Sequence, residues 1–236
     1  MKFYDELAEV YDIVFPLSED TLGYLKEGVE EKSEILDLAC GTGEYPIKLS
    51  NKFNLKALDL DKKMIDLAGL KKGSQAVDFK AIDMRTIKNI FEEDLFDEIY
   101  CIGNSLVHLE NKKQVEELLK DCFSLLKKHG LIKIQIINFD RIYKNNIKYL
   151  PTIKREKGIS LKRNYAYEDE KQVDFITKLT VNDKEYENTV KLMPLFKADL
   201  EEILKKAKFS NIKFYGDFKK SLWNDESYAL IVEASK

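Results

Sequence analysis

Three aspartates end or nearly end short apolar runs in the first 90 residues. Asp37 lies in the first run, Asp59 ends the second and Asp83 ends the third. Apolar runs of this length are typical of buried parallel strands, and the carboxyl ends of such strands meet at one edge of a sheet. We therefore expect these carboxylates to line one crevice, where they can bind hydroxyl, amine or ammonium groups.

The segment Ala39-Cys40-Gly41-Thr42-Gly43 is typical of a tight loop between a strand and a helix. Gly41 and Gly43 permit positive φ and have no Cβ atom, so a ligand can lie against the backbone there. A Walker loop would need a Lys-Ser or Lys-Thr pair after its last glycine, and none is present. A dinucleotide fingerprint would need a small residue at Glu44 or Pro46. The loop therefore disfavours a pyrophosphate, which Asp37 would also repel.

The spacing of the acids suggests a nucleoside. Asp59 follows Asp37 by 22 residues, the distance at which nucleotide-binding sheets place a carboxylate on a ribose diol. Asp83 can accept a hydrogen bond from an exocyclic amine, and Met84 offers apolar surface to a base. Simple capping of strand ends is the alternative role for each acid.

The elements that position these acids alternate between strand and helix. Two helices are expected in residues 1–30 and another over 111–127, where apolar residues recur at helical spacing. Short apolar runs lie between and after them, at 35–39, 55–59, 76–82, 96–102 and 131–137. This alternation predicts an α/β fold with a parallel sheet that is covered on both faces.

Residues 139–195 interrupt the alternation. After a lysine-rich connection come three segments of alternating polarity, at 161–167, 173–181 and 186–192. They predict an inserted antiparallel β meander. A helix at 197–208 and two closing strands, at 212–218 and 228–234, then return to the main domain.

At the acids and the glycine loop the chain resembles the class I S-adenosylmethionine-dependent methyltransferases, in particular small-molecule enzymes with a β insertion after the fifth strand. The matching segments are 36–43 for motif I, 58–59 with Met64 for motif II, 83–84 for the adenine site, and 97–106 in the fourth-strand region. Ala39 stands where the family usually has glycine. The resemblance implies a Rossmann-like seven-stranded sheet in a cofactor-binding domain of residues 1–138 and 196–236. It also implies that residues 1–30 form a helical lid and that 139–195 form a substrate cover.

Carried over by position, the resemblance implies a binding role for each matching residue. Asp37 and the 39–43 backbone would receive the methionyl group, Asp59 the ribose, and Leu60, Met64, Asp83 and Met84 the adenine. Ile102, Gly103 and Asn104 would lie beside the sulfonium. The complete predicted cofactor set is Tyr11, Asp37, Ala39, Cys40, Gly41, Gly43, Asp59, Leu60, Met64, Asp83, Met84, Ile102, Gly103 and Asn104.

Five residues are candidates for contact with the substrate or for catalysis. His108, just beyond the fourth strand, and Tyr11 are the candidate catalytic residues, and a structural role is the alternative for each. Tyr4, Tyr165 and Tyr167 could contact a substrate, and core packing is equally compatible with their positions.

Composition excludes several other classes of protein. The 39 basic and 42 acidic residues give a net charge of −3, so there is no global field to hold nucleic acid or an anionic membrane. The amino terminus lacks the pattern of an export signal, and no apolar run is long enough to span a bilayer. Three scattered cysteines suggest a reducing cytoplasm, and no residue cluster has the spacing of a metal site.

These features predict a cytoplasmic S-adenosylmethionine-dependent methyltransferase that acts on nitrogen or oxygen of a small molecule. We expect a monomer or homodimer with no nucleic-acid or membrane partner. A non-catalytic sensor of the same cofactor is one alternative, and an NAD-dependent oxidoreductase is another. The identity of the substrate is not written in the sequence.

Overall fold

The structure is a computed structural model in which residues 2–236 are described, and it contains two β-sheets. In chain order the elements are α1 (Lys2–Val14), α2 (Glu19–Lys26), β1 (Glu34–Leu38), α3 (Glu44–Leu49), β2 (Asn54–Asp59), α4 (Lys62–Leu70), β3 (Val77–Ala81), β4 (Phe96–Cys101), α5 (Lys112–Leu125), β5 (Leu126–Ile137), α6 (Phe139–Lys144), β6 (Tyr149–Lys154), β7 (Ser160–Ala166), β8 (Val173–Val181), β9 (Lys184–Leu192), α7 (Lys197–Lys206), β10 (Ser210–Tyr215) and β11 (Ala229–Ser235). Short 3₁₀ helices cover Ser74–Ala76, Met84–Asn89 and Leu106–His108.

The larger sheet has seven strands in the order β10-β11-β5-β4-β1-β2-β3. Strands β1 to β5 pair in parallel, and β11 is antiparallel to both β5 and β10. The strand order reverses between β1 and β4, and ligands of open α/β sheets bind outside the carboxyl ends of the strands at such a reversal. The predicted α/β class with a seven-stranded sheet is confirmed.

Helices cover both faces of this sheet, because successive apolar residues of a strand such as β1 must be buried on opposite sides. Ile35 packs in one cluster with Leu25 of α2 and Leu49 of α3. Leu36, the next residue, packs in another cluster with residues of α5 and α7 such as Leu118. Successive side chains of a strand point to opposite faces, so a continuous apolar run requires a helix layer on each side.

The smaller sheet is antiparallel with the order β6-β7-β8-β9. The predicted three-stranded meander is therefore one strand short, because β6 lies in the lysine-rich connection. Pro151 is in β6, and the pairing of β6 with β7 shifts register between Leu150 and Ile153. Proline cannot donate to a ladder and is tolerated on an edge strand, so the strand has no clean sequence signal.

The amino-terminal helix α1 packs on the smaller sheet. The buried cluster between them contains Phe3, Val10, Val14, Ile159, Leu161, Leu179 and Val181. Arg155 donates from Nε to the carbonyl of Ile13 at 2.8 Å and from Nη2 to that of Val14 at 3.0 Å. These contacts satisfy carbonyls at the carboxyl end of α1, which have no partner within the helix. Helix α1 and the smaller sheet thus share one apolar core.

The helices of residues 2–236 include none that is both long enough and apolar enough to cross a bilayer.

Candidate functional site

The loop between β1 and α3 adopts the left-handed backbone region at three positions. The φ angles are 70° at Ala39, 56° at Gly41 and 77° at Gly43. A Cβ atom on Gly43 would lie 2.7 Å from the ring of Phe79, and one on Gly41 would lie 3.3 Å from the ring of Tyr11. Both glycines therefore allow close packing as well as positive φ.

Asp59 fixes this loop from the end of β2. Its Oδ2 accepts a hydrogen bond from the N–H of Gly41 at 2.8 Å, and its Oδ1 accepts one from the N–H of Asp61 at 2.9 Å. Burial raises the pKa of the Asp59 carboxyl, although these backbone donors oppose the change. Asp59 thus holds the glycine loop and still has lone pairs for a ligand.

Asp37 is buried with 2% of its surface exposed, and its Oδ1 has no hydrogen-bond partner among residues 2–236. Burial raises the pKa of this carboxyl well above its usual range; Tyr100 opposes the shift and Asp59 adds to it. A buried acceptor without a partner costs about 1–3 kcal/mol, so its retention points to a ligand. A cationic group that reached Oδ1 would stabilise the carboxylate.

Two cavities open around this loop and share Ala39. The larger, of about 560 Å³, is lined by Tyr4, Ala39, Asp59, Leu60, Asp61, Ile82, Asp83, Met84, Arg85, Ser105, His108, Leu109, Glu110 and Gln114. The smaller, of about 270 Å³, is lined by Tyr11, Asp12, Phe15, Pro16, Thr21, Asp37, Ala39, Cys40, Thr42, Glu44, Tyr45, Ile102, Gly103, Gln135 and Phe218.

The predicted site residues divide between these cavities according to the part of the ligand that they were expected to bind. The larger cavity receives the candidates for ribose and adenine together with His108 and Tyr4. The smaller cavity receives Asp37 with Tyr11, Cys40, Ile102 and Gly103, the candidates for the methionyl and sulfonium groups. The individual binding roles stay predictions. Gly41 and Gly43 lie in the backbone of the loop, and Met64 is buried with 7% exposure outside both linings.

Three further candidates, Asn104, Tyr165 and Tyr167, also lie outside both cavity linings. The Oδ1 of Asn104 accepts from the N–H of Ile137 at 2.9 Å, so this side chain is tied to β5 and lines neither cavity. Tyr165 is 3% exposed and stacks on Phe175 with ring centroids 5.3 Å apart. Tyr167 donates its hydroxyl towards two carbonyls of the α6–β6 segment, those of residues 142 and 147. Both tyrosines pack in the insertion.

Sequence reasoning missed Gln135, Arg85 and Glu110. Gln135 is a polar residue inside the apolar run of β5, and that signal could have been noticed. Its Oε1 accepts from the N–H of Gly103 at 2.8 Å, which holds the backbone that lines the smaller cavity. Arg85 lies in the short 3₁₀ helix Met84–Asn89 and Glu110 in the bend before α5, where no periodic pattern singles them out.

The two candidate catalytic residues, His108 and Tyr11, differ in the direction of their pKa shift and in the cavity that they line. Partial burial lowers the pKa of the His108 imidazole, which is therefore neutral near pH 7. The rest of the side chain is exposed, and it lines the larger cavity. Burial, followed by the Asp59, Asp12 and Asp37 carboxylates, raises the pKa of Tyr11. The Tyr11 phenol therefore keeps its proton in the smaller cavity. Residues 2–236 hold no group of three or more His, Cys, Asp or Glu side chains arranged for a metal ion.

Comparison with known proteins agrees with this geometry. Residues 35–130 match the model of a methyltransferase domain. The chain is 35% identical over 138 residues to YqeM of Bacillus subtilis, a protein named as a methyltransferase, covering 56% of this chain and 55% of that protein. It is 26% identical over 205 residues to glycine/sarcosine N-methyltransferase of Aphanothece halophytica, covering 86% of this chain and 76% of the relative.

Solved structures show the same fold over the whole chain. An S-adenosylmethionine-dependent methyltransferase from Clostridium acetobutylicum superposes with a TM-score of 0.82 at 19% identity, covering 99% of this chain and 98% of that chain. The CcbJ methyltransferase of Streptomyces caelestis superposes with a TM-score of 0.80 at 14% identity, covering 97% and 95%.

Residues 35–130 match a methyltransferase domain, and the fold is that of the class I methyltransferases that depend on S-adenosylmethionine. The chain spans about half the length of its Bacillus subtilis relative. The buried Oδ1 of Asp37 suits the ammonium group of S-adenosylmethionine, so the residues present fit the family's cofactor.

Proposed function

We propose that this protein transfers a methyl group from S-adenosylmethionine to nitrogen or oxygen of a small molecule. One observation carries the proposal: Asp37 and Asp59 open into two different cavities that meet at Ala39. A ligand that crosses Ala39 would present a cationic amino-acid end to Asp37 and a hydroxylated sugar to Asp59. S-adenosylmethionine has both ends, joined through its sulfonium.

The larger cavity suits the adenosyl part of this ligand. Asp59 has lone pairs for the ribose hydroxyls, and each charge-assisted hydrogen bond contributes about 1.5–3 kcal/mol. Leu60, which is 71% exposed, and Met84 offer apolar surface to the base. Burial of Leu60 beneath an adenine would remove an exposed apolar side chain from water.

The smaller cavity suits the methionyl part of the ligand. The bound cofactor supplies an electrophilic methyl group, and the chain's own contribution is to orient the reactants and exclude water. Ile102 and Gly103 form its wall beside Asp37, and the neutral hydroxyl of Tyr11 can donate a hydrogen bond there. We propose His108 as the base for an acceptor that enters the larger cavity, because its neutral imidazole can take a proton.

The names of several relatives favour nitrogen as the acceptor. Glycine/sarcosine N-methyltransferase of Aphanothece halophytica aligns with 86% of this chain. KedS8 of Streptoalloteichus, titled a sugar N-methyltransferase, superposes with a TM-score of 0.69 at 16% identity. We further propose that residues 139–195 act as a substrate cover on a cofactor domain of residues 1–138 and 196–236, and that the protein works in the cytoplasm.

Calorimetric titration with S-adenosylhomocysteine tests the cofactor assignment. We expect saturable binding at one site, weakened about tenfold or more by Asp59→Ala, since at least one charge-assisted hydrogen bond is lost. Asp78→Ala is the matched control, because Asp78 pairs with Lys80 on β3 and lines neither cavity. Absence of binding at millimolar ligand would refute the proposal.

A transfer assay separates an enzyme from a sensor. Incubation with methyl-labelled cofactor and a metabolite mixture, followed by mass spectrometry, should give at least one labelled small molecule. The mass and fragmentation of that product identify the methylated atom. Tight binding of the cofactor with no labelled product from any mixture would favour the sensor.

A further inference from the structure

Arg85 lies on the wall of the larger cavity and occupies the carboxylate of Asp83. Oδ1 of Asp83 accepts from the backbone N–H of Arg85 at 2.9 Å and from its Nε at 3.0 Å. Oδ2 accepts from Nε at 2.9 Å and from Nη2 at 2.6 Å. A carboxylate has about four lone-pair sites. Three N–H groups of Arg85 therefore engage both oxygens of the carboxylate, because the single Nε hydrogen is shared between them.

This arrangement conflicts with the role expected of Asp83. An exocyclic amine that donates to Asp83 competes with Arg85 for these oxygens. Displacement of Arg85 need not leave the guanidinium without a partner, because Oε1 of Glu110 lies 3.9 Å from Nη1 of Arg85. Glu110 also lines the larger cavity.

Gln114, on the first turn of α5, forms two hydrogen bonds with Glu110. The Nε2 of Gln114 donates to Oε2 of Glu110 at 3.0 Å, and the Oε1 of Gln114 accepts from the N–H of Glu110 at 3.1 Å. These two bonds fix the Glu110 carboxylate and direct its other oxygen towards Arg85.

We propose that Arg85 is a specificity-determining residue that exchanges Asp83 for Glu110 when the adenine amine binds. This proposal rests on the proposed function and adds to it a competition for Asp83. The Asp83–Arg85 pair is solvent-accessible, with 25% and 45% of the two side chains exposed. Exposed pairs of this kind are weak, so a ligand amine can displace the guanidinium.

Calorimetry with S-adenosylhomocysteine, which carries no sulfonium charge, tests the competition. Arg85→Gln should tighten binding by up to about fivefold, the most that an exposed ion pair is expected to oppose. Lys88→Gln is the matched control, because it removes the same charge from an exposed site on the same 3₁₀ helix and lies outside both cavities. That control should bind within about twofold of the wild type.

The exchange also predicts coupling between Arg85 and Glu110. Glu110→Gln should weaken binding about two- to fivefold, because Arg85 then has no charged group to move to. In the Arg85→Gln/Glu110→Gln double variant this loss should disappear, since residues that act on one another are not additive.

A base-modified ligand isolates the atom involved. The analogue with a purine base has hydrogen in place of the 6-amine and no proton on N1, so it cannot donate to Asp83 from this edge and Arg85→Gln should not tighten its binding. Weaker or unchanged binding of S-adenosylhomocysteine by Arg85→Gln, with melting temperature and control unaffected, would overturn the exchange. Failure of the wild type to bind S-adenosylhomocysteine would instead refute the proposed function.

Discussion

The two sheets of this protein have different kinds of interior. All charged side chains that are buried among the described residues lie in the seven-stranded sheet: Asp37 on β1, Glu98 on β4 and Lys133 on β5. The core shared by α1 and the four-stranded sheet is made of apolar residues. Burying a charge is costly unless it is paired, so each buried charge in the seven-stranded sheet requires a structural or functional explanation.

Those buried charges have two different explanations. Lys133 contacts Glu98 at 2.6 Å and donates to the carbonyls of Tyr24 at 3.0 Å and Glu27 at 2.7 Å. It therefore ties the carboxyl end of α2 to the sheet, and its role is structural. Asp37 has an oxygen without a partner, and it is the residue that we propose for the ammonium group of the ligand. One oxygen of Glu98 lacks a hydrogen-bond partner as well, so the difference between the two acids is that Glu98 is paired with a buried cation whereas Asp37 lines a cavity.

The largest expected effect comes from breaking the structural pair. Lys133→Met should lower the free energy of unfolding by about 3–5 kcal/mol, because Glu98 would be left buried without its cation. Urea denaturation measures this loss. The matched control is the Lys133→Met/Glu98→Leu double variant, which removes both charges. It should recover part of the loss, because the carbonyls of Tyr24 and Glu27 still lack the Lys133 donor. A double variant as unstable as the single one would contradict the structural role of the pair.

The core of the smaller sheet should respond to lost volume. Leu179 on β8 is fully buried in the cluster with α1. Leu179→Ala should lower the free energy of unfolding by about 3 kcal/mol through lost burial and a cavity. Val190→Ala, at a half-buried position on β9, should cost less. If urea denaturation showed equal losses, α1 would not be docked by this cluster.

The pH dependence of stability tests the explanation given for the buried Asp37. Because burial raises the pKa of Asp37 in the folded protein, the folded state binds more protons than the unfolded state above about pH 4. The Asp37 carboxyl therefore makes the protein less stable as pH rises from about 4 through its raised pKa. Asp37→Asn removes this loss, so its stability relative to the wild type should grow with pH, to about 1–3 kcal/mol.

Denaturation of both proteins at several pH values measures this difference, in which the other titrating groups cancel. The same variant should bind S-adenosylhomocysteine more weakly, because the ammonium loses its partner. A variant that gains no stability as pH rises, or that binds the ligand as well as the wild type, would show that Asp37 is not the unpartnered charge described above.

The sequence predicted the location of the site better than the contacts of individual side chains, because only the location follows from the strand pattern. Acids at the ends of parallel strands must meet at one edge of the sheet, so the strand pattern predicted that Asp37 and Asp59 lie near each other. It did not predict that they open into two cavities that meet at Ala39. Asn104 follows Gly103 in a loop where both residues have positive φ, and the turn carries its side chain to β5. No periodicity encodes such a turn. The contacts between Arg85 and Asp83 depend on the directions of the two side chains. No sequence pattern encodes these directions, so the contacts could not be predicted.

The secondary structure of residues 139–195 could be predicted from the sequence, but the roles of their tyrosines could not. Alternating polarity gave three of the four strands, because each has one apolar face on a core. Tyr165 and Tyr167 fit both a packed core and a substrate wall, since an aromatic ring suits either. Only the neighbouring residues decide between them, and Phe175 and the carbonyl of Ile142 are distant in sequence or on another element.

The smallest expected effect lies at the junction of the two cavities. Ala39 has a φ of 70° where the family usually has glycine, and an alanine in this region is strained by about 1–2 kcal/mol. Ala39→Gly relieves that strain but loosens the unfolded chain by about 0.4–1 kcal/mol. The net expectation is a gain of about 0.5 kcal/mol in the free energy of unfolding. Gly69→Ala, in α4 with open space around it, should give a comparable gain by the opposite route.

The same substitution should leave the affinity for S-adenosylhomocysteine within about twofold of the wild type. The glycine loop is held by the hydrogen bond from Gly41 to Asp59, which does not involve the Ala39 side chain. Binding that changes much more than stability would mean that the Ala39 methyl group itself shapes the passage between the cavities. In that case Ala39 would join Asp37 and Asp59 as a residue that selects the ligand rather than one that merely permits the turn.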